Sequence, residues 1–153
     1  MQTVQPPSIE TDRLILRPFG PGDLDDLAAI LADPDVTRYL PGGRPRTREQ
    51  TEATLRFIIG HWEQRGFGWW AVNQKTGREL IGWCGLKLLD STGEVEVLYL
   101  FARRHWGQGY ATEAGTASLR YGFQELELDR IIALAVPENA ASRRVMEKMG
   151  MQC

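Results

Sequence analysis

The sequence predicts one mixed α/β unit over residues 1–153. Three observations predict it. Segments in which apolar and polar residues alternate are interleaved with segments in which apolar residues recur at helical spacing. One apolar run, VEVLYLFA, passes through two closely spaced glycines straight into a helical pattern. No repeat, linker or low-complexity tract divides the chain, which is long enough to bury a core of its own.

Taken in order, TDRLILRPF alternates Leu14 and Leu16 with polar residues and reads as a strand closed by Pro18. PGDLDDLAAILADP sets Leu24, Leu27 and Leu31 at helical spacing, opens on acidic residues, and stops at Asp33-Pro34. A loop rich in Pro, Gly and Arg follows, LPGGRPR. Thr47 and Gln50 then form a capping box that starts a second helix; Leu55, Ile58, Ile59 and Trp62 make its buried stripe, and Gly66 ends it. GWWAVNQKTGRELIGWCGLKLL reads as a hairpin turning at residues 75–77, and residues 90–93 form a second turn into EVEVLYLFA. Residues 111–123 are helical, with Ala114, Ala117 and Leu119 apolar. RIIALAV, bounded by Arg130 and Pro137, reads as a buried strand, and ENAASRRVMEKM as a last helix capped by Asn139 and ended by Gly150.

Composition narrows the function. A formal charge of −2 and a pI near 5.7 provide no general attraction for nucleic acid or an anionic membrane. The longest apolar runs are far too short to span a bilayer, and MQTVQPPSIE has neither the basic start nor the apolar centre of a signal peptide, so a cytoplasmic address is expected. Cys84 and Cys153 are the two cysteines, with no CxxC pair, and His61 and His105 lie far apart, so no metal site is expected. Cys84, within LIGWCGLKLL, reads as a small buried hydrophobe rather than a nucleophile, and the expected address argues against a disulfide.

The junction RRHWGQGYATEA is the chemical signal. A strand feeding a helix through a glycine turn points backbone N–H groups at one spot, and the first-turn donors have no partner within the helix. Such a spot suits a phosphate or pyrophosphate; Gly107 and Gly109 let the main chain approach it, and Arg103 and Arg104 could add charge. A Rossmann fingerprint would need glycine where Thr112 stands, and the Gly-Lys-Ser/Thr of a P-loop is absent. A plain tight turn is the alternative reading of Gly-x-Gly alone.

WGQGYATEA, preceded by EVLYLF and followed by NAASRRVMEKMG, resembles the GNAT acyltransferase superfamily, and within it the RimJ/RimL-like N-acetyltransferases. IETDRLILRPF and DPDVTRYLP extend the resemblance over nearly the whole chain, in the family's order. The resemblance implies a mixed, mostly antiparallel sheet flanked by helices, and acetyl-CoA as cosubstrate. The family's pyrophosphate motif, Gln/Arg-x-x-Gly-x-Gly/Ala, fits in two registers: Arg104 with Gly107 and Gly109, or Trp106 with Gly109 and Ala111. The second is preferred because it places Ala111 at the helix start. It implies that Gly107, Gln108, Gly109, Tyr110, Ala111 and Thr112 cradle the coenzyme A pyrophosphate. Tyr99, Leu100 and Phe101 would pair with the pantetheine arm as an added strand does.

Moving an acetyl group from a thioester to an amine needs a neutral amine, a donor for the developing oxyanion, and help for the departing thiolate. Glu94 and Glu96 share one strand face, and Glu96 matches the glutamate of the branch's EIGYW-like strand. Glu96 is the candidate base, directly or through water, with a salt-bridged strand carboxylate as the alternative; burial would raise its pKa into a useful range. Glu94 reads as a turn-proximal surface residue. By the same resemblance Asn139 bonds the pantetheine arm, a role compatible with capping the helix, and Ser142 sits near the sulfur. Many superfamily members carry a tyrosine acid four residues further on; here that position is Met146, which leaves Ser142, or a water it holds, as proton donor. Arg143, Arg144 and Lys148 could meet the adenosine 3′-phosphate.

The resemblance also implies two further strands beyond GMQC, so the strand at residues 130–136 is expected to have an open edge, which a homodimer could cover. Three functions fit: an N-acetyltransferase acting on a small amine or a protein N-terminus by direct transfer through a ternary complex, a non-catalytic acyl-CoA-binding module, or a nucleotide-binding protein. The acceptor is expected at LPGGRPR and the Trp69, Trp70 and Trp83 neighbourhood. Trp69 and Trp70 must face opposite sides, and Arg44, Arg46 and Arg48 hint at an acidic acceptor.

Overall fold

The computed structural model describes residues 6–152. Five strands form one sheet in the order of the chain: β1 (Ile9–Glu10), β2 (Leu14–Arg17), β3 (Trp69–Gln74), β4 (Leu80–Leu88) and β5 (Val95–Phe101), each antiparallel to the next. Between β2 and β3 lie α1 (Leu24–Leu31), a single turn α2 (Pro34–Thr37) and the long α3 (Arg48–Arg65). After β5 come α4 (Tyr110–Gln124) and α5 (Ala140–Lys148).

Local chemistry sets the boundaries. The Thr47 hydroxyl accepts the Gln50 N–H while the Gln50 side chain accepts the Thr47 N–H, closing both ends of the capping box before α3. Gly66 ends the helix with a φ of 77°, a left-handed conformation that glycine adopts without a Cβ penalty. Asn139 caps α5 by accepting the Ser142 N–H at 3.1 Å.

The two adjacent tryptophans show how the layers stack. Trp70 is fully buried and meets the Tyr121 ring of α4 edge-on at 5.2 Å. Trp69 points the other way and packs on Phe57 and His61 of α3 at 6.0 and 5.3 Å. Successive strand residues face opposite sides, so α3 lies on one face of the sheet and α4 on the other.

Residues 130–136 depart from the expected strand. Ile131 alone in IIALAV is buried, and Ile132 makes one parallel bridge to Glu96. Its N–H donates to Val95 O at 2.9 Å, and its carbonyl accepts from the Val97 N–H at 2.8 Å. The two segments then diverge, leaving Leu134 61% and Val136 40% exposed. Six apolar residues mark a segment able to be a strand; a ladder also needs a main-chain partner along its length, and β5 meets it at one point.

Candidate active site

That divergence makes the site. It opens a cleft of about 1290 Å³ between β5 and residues 134–145, continuing onto the α3 face of the sheet. Along β5, main-chain groups alternate sides. Val95 and Val97 face Ile132, so Tyr99 turns its N–H and C=O to the same side, where the cleft replaces a neighbouring strand. Leu100 turns its main chain toward Trp83 of β4, and the Phe101 carbonyl accepts the Trp106 indole N–H at 2.8 Å. Of the three residues expected to pair with a pantetheine arm, Tyr99 is the one whose donor and acceptor both stand free.

At the end of β5 the chain makes a short 3₁₀ turn and enters α4 through Gly107 and Gly109, both left-handed at φ of 74° and 81°. The N–H groups of Gly107, Gln108, Gly109, Tyr110, Ala111 and Thr112 find no acceptor among the described residues; the first helical bond comes at Glu113, whose N–H reaches Gly109 O at 3.0 Å. Six donors at the positive end of a 15-residue helix are a fit for a diphosphate. α4 begins at Tyr110, one residue before Ala111.

Arg103 and Arg104 do not supply the charge for this turn. Arg103 pairs with Asp33 and Asp35 at 3.3 and 2.6 Å, and Arg104 pairs with Glu79. The cation at the turn is Arg13, a residue absent from the sequence-based expectations. It donates from Nη1 to Gln108 O at 2.8 Å, lies 4.5 Å over the Tyr110 ring, and pairs through Nε with Glu113 at 2.7 Å. Thr11 and the Arg13 N–H donate to the other Glu113 oxygen. Burial alone would raise the Glu113 carboxyl, but these donors outweigh it and hold it below the usual carboxylate range. No local signal links Arg13 to a turn nearly a hundred residues on.

Glu96 stands on the cleft face of β5, directly opposite Lys87 of β4. Burial pushes its carboxyl above the ordinary range, partly offset by Lys87. Glu94 is instead 3.5 Å from Arg130 Nε. Across the opening, Ser142 Oγ lies 2.7 Å from the Tyr99 hydroxyl, which also donates to Ser142 O at 3.0 Å. Burial raises the Tyr99 phenol, partly offset by Ser142, so it stays protonated at neutral pH. Sequence reasoning used Tyr99 for its main chain alone; its hydroxyl belongs to the same opening. Asn139 lines the cleft with its amide NH₂ unspent after capping α5. The Tyr39 hydroxyl reaches over to Glu138 O at 3.4 Å, linking the loop after α2 to the start of α5.

Trp69 and Trp83 line the cleft, as do Arg46 and Phe57, while Trp70 is core. Cys84 is fully buried against Ser118, its thiol pushed up to about 12 by desolvation. Cys153 lies outside the described residues. Among the described residues no cluster of His, Cys, Asp and Glu could hold a metal ion, and no helix is long and apolar enough to cross a membrane.

Residues 13–152 match the family model of the acetyltransferase (GNAT) domain. The chain is 41% identical over 149 residues to the uncharacterized protein YkkB of Bacillus subtilis, a match covering 92% of this chain and 83% of that one. It is 34% identical to the uncharacterized N-acetyltransferase YoaA of the same organism, over 95% of this chain and 83% of the relative. The crystal structure of a GNAT-family acetyltransferase from Bacillus anthracis superposes with a TM-score of 0.83 at 33% identity, covering 95% of this chain and 83% of that one. The chain belongs to the GNAT acetyltransferase family. It is an N-acetyltransferase with acetyl-CoA as cosubstrate.

Proposed function

We propose that this enzyme transfers acetyl directly to a primary amine, from a small molecule or a peptide N-terminus, with donor and acceptor bound together in the cleft. The observation that carries the reading is the edge of β5, which opens just beyond Val97, next to Glu96, and runs past the free Tyr99 main chain into six unspent N–H groups. A chain carrying amides and a diphosphate finds a strand-like edge and an anion cradle in that order. The thioester supplies the acetyl group; the residues supply positioning and proton traffic.

Glu96 accepts the proton of the incoming amine, directly or through one water, and its raised pKa brings it nearer the working pH. The Tyr99 N–H is the donor for charge developing on the carbonyl oxygen. Ser142, or a water it holds, donates a proton toward the departing sulfur and is reprotonated from solvent. The Tyr99 hydroxyl, whose proton goes to Ser142 O at 3.0 Å, accepts at 2.7 Å from Ser142 Oγ at rest and positions it. Direct transfer is favoured by the position of Cys84, whose protonated, fully buried thiol faces α4 rather than the cleft. The test is release of coenzyme A thiol from acetyl-CoA across a panel of primary amines. Amine-dependent release is expected with the wild type, falling by about two orders of magnitude in Glu96→Gln. Equal turnover by the two proteins removes Glu96 from the role of base.

A further inference from the structure

We propose that the acceptor is an amine carrying a carboxylate at its far end, with an apolar or aromatic spacer, and that Arg46 holds that carboxylate. This deepens the acetyl-transfer reading and rests on it for the position of the amine. Of the three arginines in and just after the PGGRPR loop, Arg48 is paired outward with Asp25 at 2.6 Å, and Arg44 is exposed outside the cleft. Arg46 lines the cleft. Its main-chain N–H is anchored on Leu31 O at 2.8 Å, and its Nη1 donates to Thr54 Oγ at 2.9 Å. No carboxylate among the described residues comes within ion-pair distance of it, whereas Arg103 has two and Arg104 one.

A guanidinium has five N–H donors, and a partly buried cation without a counter-ion carries a desolvation cost that an arriving anion offsets. Burial lowers the Arg46 pKa, in keeping with that environment, without neutralising a group of so high an ordinary value.

The surroundings define the rest of the acceptor. Thr54 and Phe57 are one turn apart on α3, and the half-exposed Phe57 ring stands 6.0 Å from Trp69 and 5.6 Å from Lys87 Nζ. Lys87 in turn faces Glu96 across the strands. From Arg46 to the base the wall runs through Thr54, the Phe57 ring and Lys87, so aromatic surface lies between them. An acceptor that reaches both groups along this wall is a body with a face that can lie on rings, its amine at one end and its carboxylate at the other. A polycationic amine would meet Arg46 and Lys87 with like charge, since Asp35, the other acid lining the wall, is occupied by Arg103.

Two matched probe pairs test this. One pair is 4-(aminomethyl)benzoate and its carboxamide; the other is a C-terminally amidated tripeptide with an acidic third residue and its asparagine counterpart. Binding is read as quenching of tryptophan fluorescence in the presence of coenzyme A, and transfer as thiol release. The wild type is expected to favour the carboxylate member of at least one pair by tenfold or more in both readouts, and the pair that shows it distinguishes a small molecule from a peptide. Arg46→Gln is expected to bring that ratio close to one, Arg46→Lys to retain part of it, and neither to change coenzyme A affinity or the melting temperature appreciably. Equal binding of both members by the wild type overturns the proposal, as does a preference that persists in Arg46→Gln, or an equal loss of coenzyme A affinity in that variant. Preferential binding without any thiol release leaves the anion site standing and sinks the transfer reading instead.

Discussion

Glu96 shows what a single residue concedes to serve as a base. Burial raises its carboxyl pKa, and Lys87 cancels part of that rise. A carboxyl whose folded pKa lies above its unfolded value binds more protons in the folded state. Its contribution to stability is complete below the unfolded pKa, about 4.3, and is lost as pH rises through the folded value. At neutral pH the ionised group therefore works against folding. Glu96→Gln is expected to melt at a higher temperature than the wild type at pH 8, with the gap closing toward pH 4. In the wild type, kcat/KM should rise with pH through an acid limb displaced above the normal carboxylate range, and that limb should be missing from the residual activity of the Gln variant. Melting curves and rate profiles on the two proteins measure both effects. A variant less stable than wild type at pH 8 would mean that the carboxylate is held by a stabilising partnership rather than strained by burial.

Elements are legible in the sequence where their signals are local. The Thr47–Gln50 box, Gly66 after α3, the Asn139 cap and the Gly107/Gly109 turn each involve residues within a few positions of one another, and each sits where its chemistry predicts. The Glu96 placement on a strand face is legible for the same reason, because side chains alternate. Residues 130–136 are misread because apolar character is local and a ladder partner is not. Arg13 is missed altogether because its meaning lies in Gln108, Tyr110 and Glu113, distant in sequence. At this scale Arg13 is a positioning residue for the turn: it holds the Gln108 carbonyl away from the six donors and neutralises the acid that begins α4. Without it, Glu113 would oppose an incoming diphosphate at the place where the helix dipole attracts one. Arg13→Ala is expected to weaken coenzyme A binding by roughly tenfold, equivalent to about 1.4 kcal/mol, with kcat at saturating acetyl-CoA little changed. Arg13→Ala combined with Glu113→Gln should recover part of the affinity, an outcome that a purely structural loss would not produce. Calorimetric titration with coenzyme A decides between them.

The whole molecule keeps one wall of the cleft fastened while the other stays open. β5 parts from residues 133–136 on one side, and on the other α3 is bound to the β3–β4 hairpin through His61. Its Nδ1 lies 2.7 Å from Phe67 O and donates to it, because a carbonyl can only accept; Nε2 is then the lone pair that receives the Leu88 N–H at 3.0 Å. Only the neutral ring makes both bonds, since an imidazolium would set a donor against the Leu88 donor. Burial depresses the His61 pKa, the bond to Phe67 partly offsets this, and the Arg65 and Lys87 charges depress it further. The unfolded chain, titrating near 6.5, thus binds more protons than the folded one between the two pKa values. The stability His61 contributes is whole above about pH 6.5 and is lost as pH falls through the folded value. Glu113, held low by its donors, adds a separate loss that begins as pH falls past the ordinary carboxylate value, about 4.3, and is complete below its folded value. With Glu96 replaced by Gln, the protein is expected to melt progressively earlier from pH 6.5 downward, before its ordinary carboxylates protonate. His61→Gln can still donate to Phe67 and accept from Leu88 but cannot titrate. Its melting temperature should be lower at pH 8, through lost contact with the Phe57, Phe67 and Trp69 rings, yet nearly flat between pH 7 and 5.5. Measuring both series in a Glu96→Gln background removes the opposing trend of the cleft carboxylate. Parallel wild-type and Gln profiles in that background would assign the acid sensitivity to another group and leave α3 held by packing alone.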